Sequence, residues 1–242
     1  MTPAPIILEA VTKQTATVIV VHGLGDTGMG WKPIAQMFTS DPALQHVKWV
    51  LPTAPTRSIS VNGGLRMPSW FDMSSFEDFS EDEDEAGMTQ STETLRSIIK
   101  SEIDHGTPAN RIVLSGFSQG GAMSLLTGLT GEEKLAGIVS LSGWLPLLKK
   151  FQDKSLLKVY VLTTPVFMSH GGSDPLVPPP LSKDSFKTLT DVLKMEVGEK
   201  GACKGVAHTV YRGVGHTTTP EILNDFKTFI KAAVPAYNEE CT

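Results

Sequence analysis

Gly116-Phe117-Ser118-Gln119-Gly120 spells Gly-x-Ser-x-Gly between the β-rich run Ile112-Val113-Leu114 and a stretch of small residues. A serine hydroxyl is a weak nucleophile at its free pKa, so it must be exposed on a tight strand-to-helix turn and given a base. Gly116 and Gly120 suit that turn, where larger side chains would collide. A phosphate-binding loop is the rival reading, but this turn lacks the Lys-Ser or Lys-Thr ending that such a loop needs. Ser118 is therefore the candidate nucleophile.

The base and the acid that orients it must follow the serine if the chain order is Ser, acid, His. That leaves His170, His208 and His216, because His22, His46 and His105 come earlier. His216 ends an extended segment through Gly213-Val214-Gly215 and is preferred; His170, at a strand end, is the alternative and would otherwise support the acid loop. His208 alternates with Val206 and Val210 and reads as a strand residue. Asp174 lies in the Gly-rich turn His170-Gly171-Gly172-Ser173-Asp174-Pro175, the expected place for the acid, whereas Asp153, Asp184 and Asp191 sit in charged or helical surroundings. The oxyanion formed by attack on an acyl carbon needs two fixed backbone N–H groups. Gln119, after the nucleophile, is one, and Leu24 in His22-Gly23-Leu24 is the other, with Gly23 its close competitor. Asp26 precedes the serine and is expected to cap or steady this first loop.

Elements must carry these groups to one place. Thr17 to Val21 and Val47 to Leu51 read as buried strands, with a helix beginning over Trp31 to Phe38 between them. Leu95, Ile98, Ile99 and Ile103 recur at helical spacing, Ile112 to Leu114 forms the strand before the serine, and Ala122 to Leu129 the helix after it. Strand character returns at Ile138 to Leu141, Pro165 to Ser169 and Val206 to Tyr211, with helices near Lys183 to Leu193 and Glu221 to Ala233. Val159 to Leu162 is either a short strand or a lead-in to the next one. The order implies an α/β fold, a three-layer sandwich on a mostly parallel sheet. With no repeat and no biased linker, residues 1–242 are expected to form one domain, with an elaborated loop at about 52–87.

Composition narrows the function. Of 242 residues, 26 are acidic and 21 are Lys or Arg, giving a net charge of -5 with no basic block for a row of phosphates, so nucleic acid is a poor partner. No apolar run reaches the roughly 20 residues that span a bilayer, and the start lacks the pattern of a secretion signal. A soluble, cytoplasmic protein is expected, with the nucleus a second compartment. Cys203 and Cys241 read as free thiols, and Glu81 to Glu85 lacks the alternating ligands and glycine of a calcium loop. It reads as a solvated helix start, and no metal or cofactor is expected.

The segments His22-Gly23-Leu24-Gly25-Asp26-Thr27-Gly28, Met67-Pro68-Ser69-Trp70-Phe71-Asp72, Gly116 to Ser124, Ser142-Gly143-Trp144-Leu145-Pro146-Leu147, Asp174-Pro175-Leu176-Val177-Pro178 and Gly215-His216 resemble the acyl-protein thioesterase and lysophospholipase family of α/β-hydrolases, and a eukaryotic member, fungal among the eukaryotes, is expected. The resemblance runs from about Pro5 to Pro235. It implies the same triad, Ser118, Asp174 and His216, and the same oxyanion donors, Leu24 and Gln119. It also implies an acyl groove lined by Leu65, Met67, Trp70, Trp144, Leu176 and Val177, with S-acylated proteins or lysophospholipids as substrates. Transient membrane-surface contact and a monomer or weak homodimer are consistent with it. A broad short-chain carboxylesterase is the alternative activity, and a non-catalytic binding protein the remote one. Gly172-Ser173 and Thr217 to Pro220 depart from the family pattern, and the stiff Pro178-Pro179-Pro180 could narrow the groove mouth.

Overall fold

In the computed structural model, which describes residues 3–76, 79, 82–153, 155–156 and 162–237, the central feature is a seven-stranded sheet. Its strands are β1 (Ile6–Leu8), β2 (Ala16–Val21), β3 (Val47–Leu51), β6 (Ile112–Phe117), β7 (Gly137–Leu141), β8 (Val166–Gly171) and β9 (Val206–Tyr211), in the spatial order β1-β3-β2-β6-β7-β8-β9. Only β1 runs antiparallel, against β3; the other pairings are parallel. Parallel strands are buried on both faces, which is why β2 (ATVIVV) and β7 (GIVSL) contain no exposed residue.

Alternation along the strands divides the core in two. Val18, Val20, Val113, Val139, Phe167 and Ala207 face helices α1 (Gly28–Thr39) and α6 (Pro220–Ala233), packing on Trp31, Phe38, Phe226 and Phe229. Ile19, Val21, Leu114, Ile138, Met168 and Val206 face the other way, toward α2 (Glu85–Asp104), α3 (Gln119–Thr130) and α5 (Pro179–Lys187) and the residues that follow it. The result is the expected α/β-hydrolase sandwich, helices on both sides of a largely parallel sheet. Helix starts follow local chemistry: Asp84 accepts from Gly87 N at 2.9 Å ahead of α2, and Thr219 from Ile222 N ahead of α6, with Pro220 at the first helical position.

Several elements differ from the sequence reading. The chain start supplies the antiparallel edge strand β1. The 52–87 stretch contains a two-stranded hairpin, β4 (Thr56–Ile59) with β5 (Leu65–Pro68), turned at Gly63 and Gly64, both with positive φ. Its polar residues Arg57, Ser58 and Arg66 mask the alternation on which a strand is recognised. The expected helix from Lys183 to Leu193 is split, α5 passing at Thr188 into a π-helical turn that ends at Val192. A short helix α4 (Leu148–Gln152) follows β7. Val159 to Val161 and Glu81 lie outside the described residues; Leu162 is in a helical turn.

Candidate active site

The carboxyl ends of the parallel strands all open on one edge of the sheet, and the loops leaving them carry the chemistry. Ser118 is the single residue between β6 and α3, held at φ 54° and ψ -123°. Its N–H donates to Leu141 O at 2.8 Å and its carbonyl accepts from Ala122 N at 3.0 Å. The turn is so tight that a Cβ on Gly116 would lie 2.2 Å from Gly120 O, and one on Gly120 2.1 Å from Val21 O. Both glycines are sterically required.

His216 reaches this hydroxyl from the loop after β9. Its Nε2 lies 2.9 Å from Ser118 Oγ and its Nδ1 2.7 Å from Asp174 Oδ2. A carboxylate only accepts, so Nδ1 carries the hydrogen and Nε2 presents its lone pair to the serine O–H. Asp174 is fully enclosed on its side chain. Its other oxygen, Oδ1, accepts from Leu176 N and Val177 N at 2.9 Å each. The acid and base loops are joined directly: Ser173 N donates to Val214 O and Gly172 N to Tyr211 O. The three side chains, 98 and 42 residues apart in sequence, thus form one hydrogen-bonded chain.

The two other candidate histidines are held by partners other than Ser118. His170 is buried, with Nε2 2.8 Å from Val177 O, and burial lowers its pKa. His208 pairs with Ser182 Oγ at 2.9 Å and stacks on Phe186; burial lowers its pKa to about 4.

Gln119 is the first residue of α3, so its N–H is one of those a helix leaves without an intrahelical acceptor. Leu24 lies in the loop after β2, and its orientation can be traced to His22. Ala54 N donates to His22 Nε2 at 2.9 Å, which leaves the hydrogen on Nδ1, and Nδ1 reaches Gly23 O at 2.6 Å. In a trans peptide the N–H points opposite to the carbonyl, so fixing Gly23 C=O also aims Leu24 N–H. His22 is wholly buried, which lowers its pKa and keeps the ring neutral. This role of His22 went unread in the sequence.

The same loop, Gly23-Leu24-Gly25-Asp26-Thr27-Gly28, has Gly-x-Gly-x-x-Gly spacing between a strand and a helix, the pattern of a dinucleotide turn. Here the Asp26 carboxylate stands in that turn. Asp26 Oδ1 accepts from Thr27 N at 2.7 Å and fills the space where a Cβ on Gly30 would stand. Asp26 steadies the loop, as its position suggested.

The six expected acyl-groove residues separate. Leu65, 66% exposed, and Leu176, 47% exposed, are open to solvent, and Met67 is half-buried with its sulfur beside Gly25. Trp70, Trp144 and Val177 belong instead to the core. Trp70 is closed off because its indole N–H donates inward to His22 O at 2.9 Å. Val177 serves through its backbone, donating to Asp174 and accepting from His170. Trp144 packs against Phe71 and Phe79 beside a small cavity lined also by Met73 and Met88, a lining that includes no triad residue.

Residues 3–234 match the family model described as Phospholipase/Carboxylesterase. Acyl-protein thioesterase 1 of Gibberella zeae is 42% identical over 239 residues, covering 97% of both chains. That of Mycosarcoma maydis is 41% identical over 232 residues, covering 93% of each. Among solved structures, acyl-protein thioesterase 2 of Zea mays superposes with a TM-score of 0.78 at 27% identity, over 95% of this chain and 98% of that one.

Proposed function

The chain belongs to the phospholipase/carboxylesterase family of α/β-hydrolases, and from that membership we propose that it hydrolyses the acyl thioesters of S-acylated proteins, and related lysophospholipid esters, through an acyl-enzyme on Ser118. The observation that carries the reading is the unbroken chain from Ser118 Oγ through His216 to the enclosed carboxylate of Asp174. Fungal relatives about 40% identical over nearly the whole chain are acyl-protein thioesterases, which supports the substrate class.

In this reading His216 Nε2 takes the serine proton as Oγ attacks the thioester carbonyl, and the oxyanion sits between the N–H groups of Leu24 and Gln119. Collapse of the tetrahedral intermediate breaks the C–S bond, and His216 returns the proton to the leaving thiolate. Water then repeats the sequence on the ester: its proton goes to His216 and its oxygen to the acyl carbon, and as the C–O bond to Ser118 breaks His216 returns the proton to Oγ and the fatty acid departs. Asp174 holds the imidazole tautomer throughout. Leu65, Met67 and Leu176 are the apolar side chains left to meet the acyl tail.

The test compares wild type with Ser118→Ala on an S-palmitoylated peptide, lysophosphatidylcholine and short p-nitrophenyl esters. Wild type should cleave the thioester and Ser118→Ala should lose turnover while remaining folded. Turnover by pure Ser118→Ala would reject the nucleophile, and activity confined to short esters would replace the thioesterase reading with a carboxylesterase one.

A further inference from the structure

Beyond its backbone N–H, Gln119 has a buried side chain that joins the two sides of the oxyanion site. Its Oε1 accepts from Trp70 N at 2.8 Å and lies 3.1 Å from Ser69 Oγ, and its Nε2 donates to Phe71 O at 2.8 Å. The residue is 0% exposed. A carboxamide presents a donor and an acceptor side by side, the complement of the N–H and C=O that Trp70 and Phe71 offer; a carboxylate would lack the donor.

The strap held in this way holds the other donor in turn. Gly25 N donates to Pro68 O at 2.9 Å, and Trp70 Nε1 donates to His22 O at 2.9 Å. Leu24 lies between these two anchors. We propose that the Gln119 carboxamide is a positioning residue for catalysis: through the 68–71 strap it sets the place of the Leu24 N–H relative to its own N–H. This rests on the hydrolase reading above. Oxyanion donors act only at hydrogen-bonding distance from the developing charge, and loss of one lowers kcat by about 10²–10³-fold. A shift of about 1 Å in the strap is enough to forfeit much of that contribution.

The experiment uses Gln119→Met, Gln119→Glu, Trp70→Phe and the Gln119→Met/Trp70→Phe double variant. All keep the backbone N–H of residue 119. On a short p-nitrophenyl ester, Gln119→Met should lower kcat about 10²-fold with KM within about threefold, and Trp70→Phe about 10-fold. Gln119→Glu, whose second carboxylate oxygen would face Phe71 O with no hydrogen to donate, should lose at least as much. The double variant should be no slower than Gln119→Met, since both act through one strap. End-point labelling of Ser118 by a fluorophosphonate should stay stoichiometric.

A folded Gln119→Met enzyme with wild-type kcat would overturn the proposal, as would multiplicative losses in the double variant or loss of labelling. Should Gln119→Met fail to fold, Trp70→Phe decides: wild-type kcat in that variant overturns it. Wild-type protein without Ser118-dependent turnover would instead defeat the hydrolase reading itself.

Discussion

His170 Nε2 stands 3.6 Å from Asp174 Oδ2, the same oxygen that accepts from His216 Nδ1. Since Nε2 also reaches Val177 O at 2.8 Å, it is the nitrogen that carries the hydrogen, and its positive end faces the carboxylate. Replacing the ring with leucine removes both the tether on the acid loop and this local dipole. His170→Leu is expected to lower kcat about 10-fold with little change in KM, read from steady-state kinetics on a p-nitrophenyl ester. Unchanged kcat in folded protein would show that the ring only fills space.

Asp174→Asn tests the tautomer argument. An amide that turns its N–H₂ toward His216 forces Nδ1 to accept, which puts the hydrogen on Nε2, where it faces the serine and cannot act as base. The expected loss is about 10⁴-fold in kcat with the fold preserved, the size seen when the acid of such a triad is replaced in this way. A loss under tenfold would contradict the assignment of Asp174.

Gly120→Ala probes the packing under the nucleophile turn. The added carbon would stand 2.1 Å from Val21 O and 2.5 Å from His22 O, both backbone atoms of the β2 strand end and its loop. Overpacking against backbone costs about 1–3 kcal/mol or more, and about 2–4 °C of melting temperature per kcal/mol in a chain of this size. Circular dichroism melting should show it, and a variant as stable as wild type would mean the turn can open.

Acid should destabilise the protein through its enclosed imidazoles. Burial lowers the pKa of His22, His46 and His170 from the ordinary 6.5, and takes His208 to about 4. Below pH 6.5 the unfolded chain binds protons that the folded one refuses, so stability is complete above that value and falls as pH drops toward 4. Melting temperatures from pH 7 to 4.5 should decline, and His208→Gln should flatten part of the slope. A parallel slope in that variant would assign the effect to other groups.

Acyl length should register at Leu65, Met67 and Leu176. If they line the tail's path, each methylene buried contributes about 0.8 kcal/mol, close to fourfold in kcat/KM. Met67→Ala should lower the ratio of octanoyl to acetyl ester activity more than it lowers acetyl activity. Equal effects on both esters would remove Met67 from the acyl path.

The sheet was legible because its strands are short runs of Val, Ile and Leu bounded by Gly and Pro, and the three triad positions because each sits where such a run ends. Periodicity could not reveal the β4/β5 hairpin, whose residues are polar enough to pass for a loop. Nor could residue type show that Trp70 and Trp144 turn inward. An indole is as apolar in a groove as in a core, and what decides here is the hydrogen bond from Trp70 to His22 O and the rings around Trp144. The roles of His22 and the Gln119 side chain depend on contacts 32 and about 50 residues away, which no local pattern encodes.

The backbone of Ser118, at φ 54°, is in a region where a side chain costs about 1–3 kcal/mol. Glycine there avoids that cost while losing only about 0.5–1 kcal/mol to its looser unfolded chain. The hydroxyl and the strain therefore come as one package, and Ser118→Gly should be at once inert and more heat-resistant than the active protein. Durability and turnover therefore pull this one position in opposite directions.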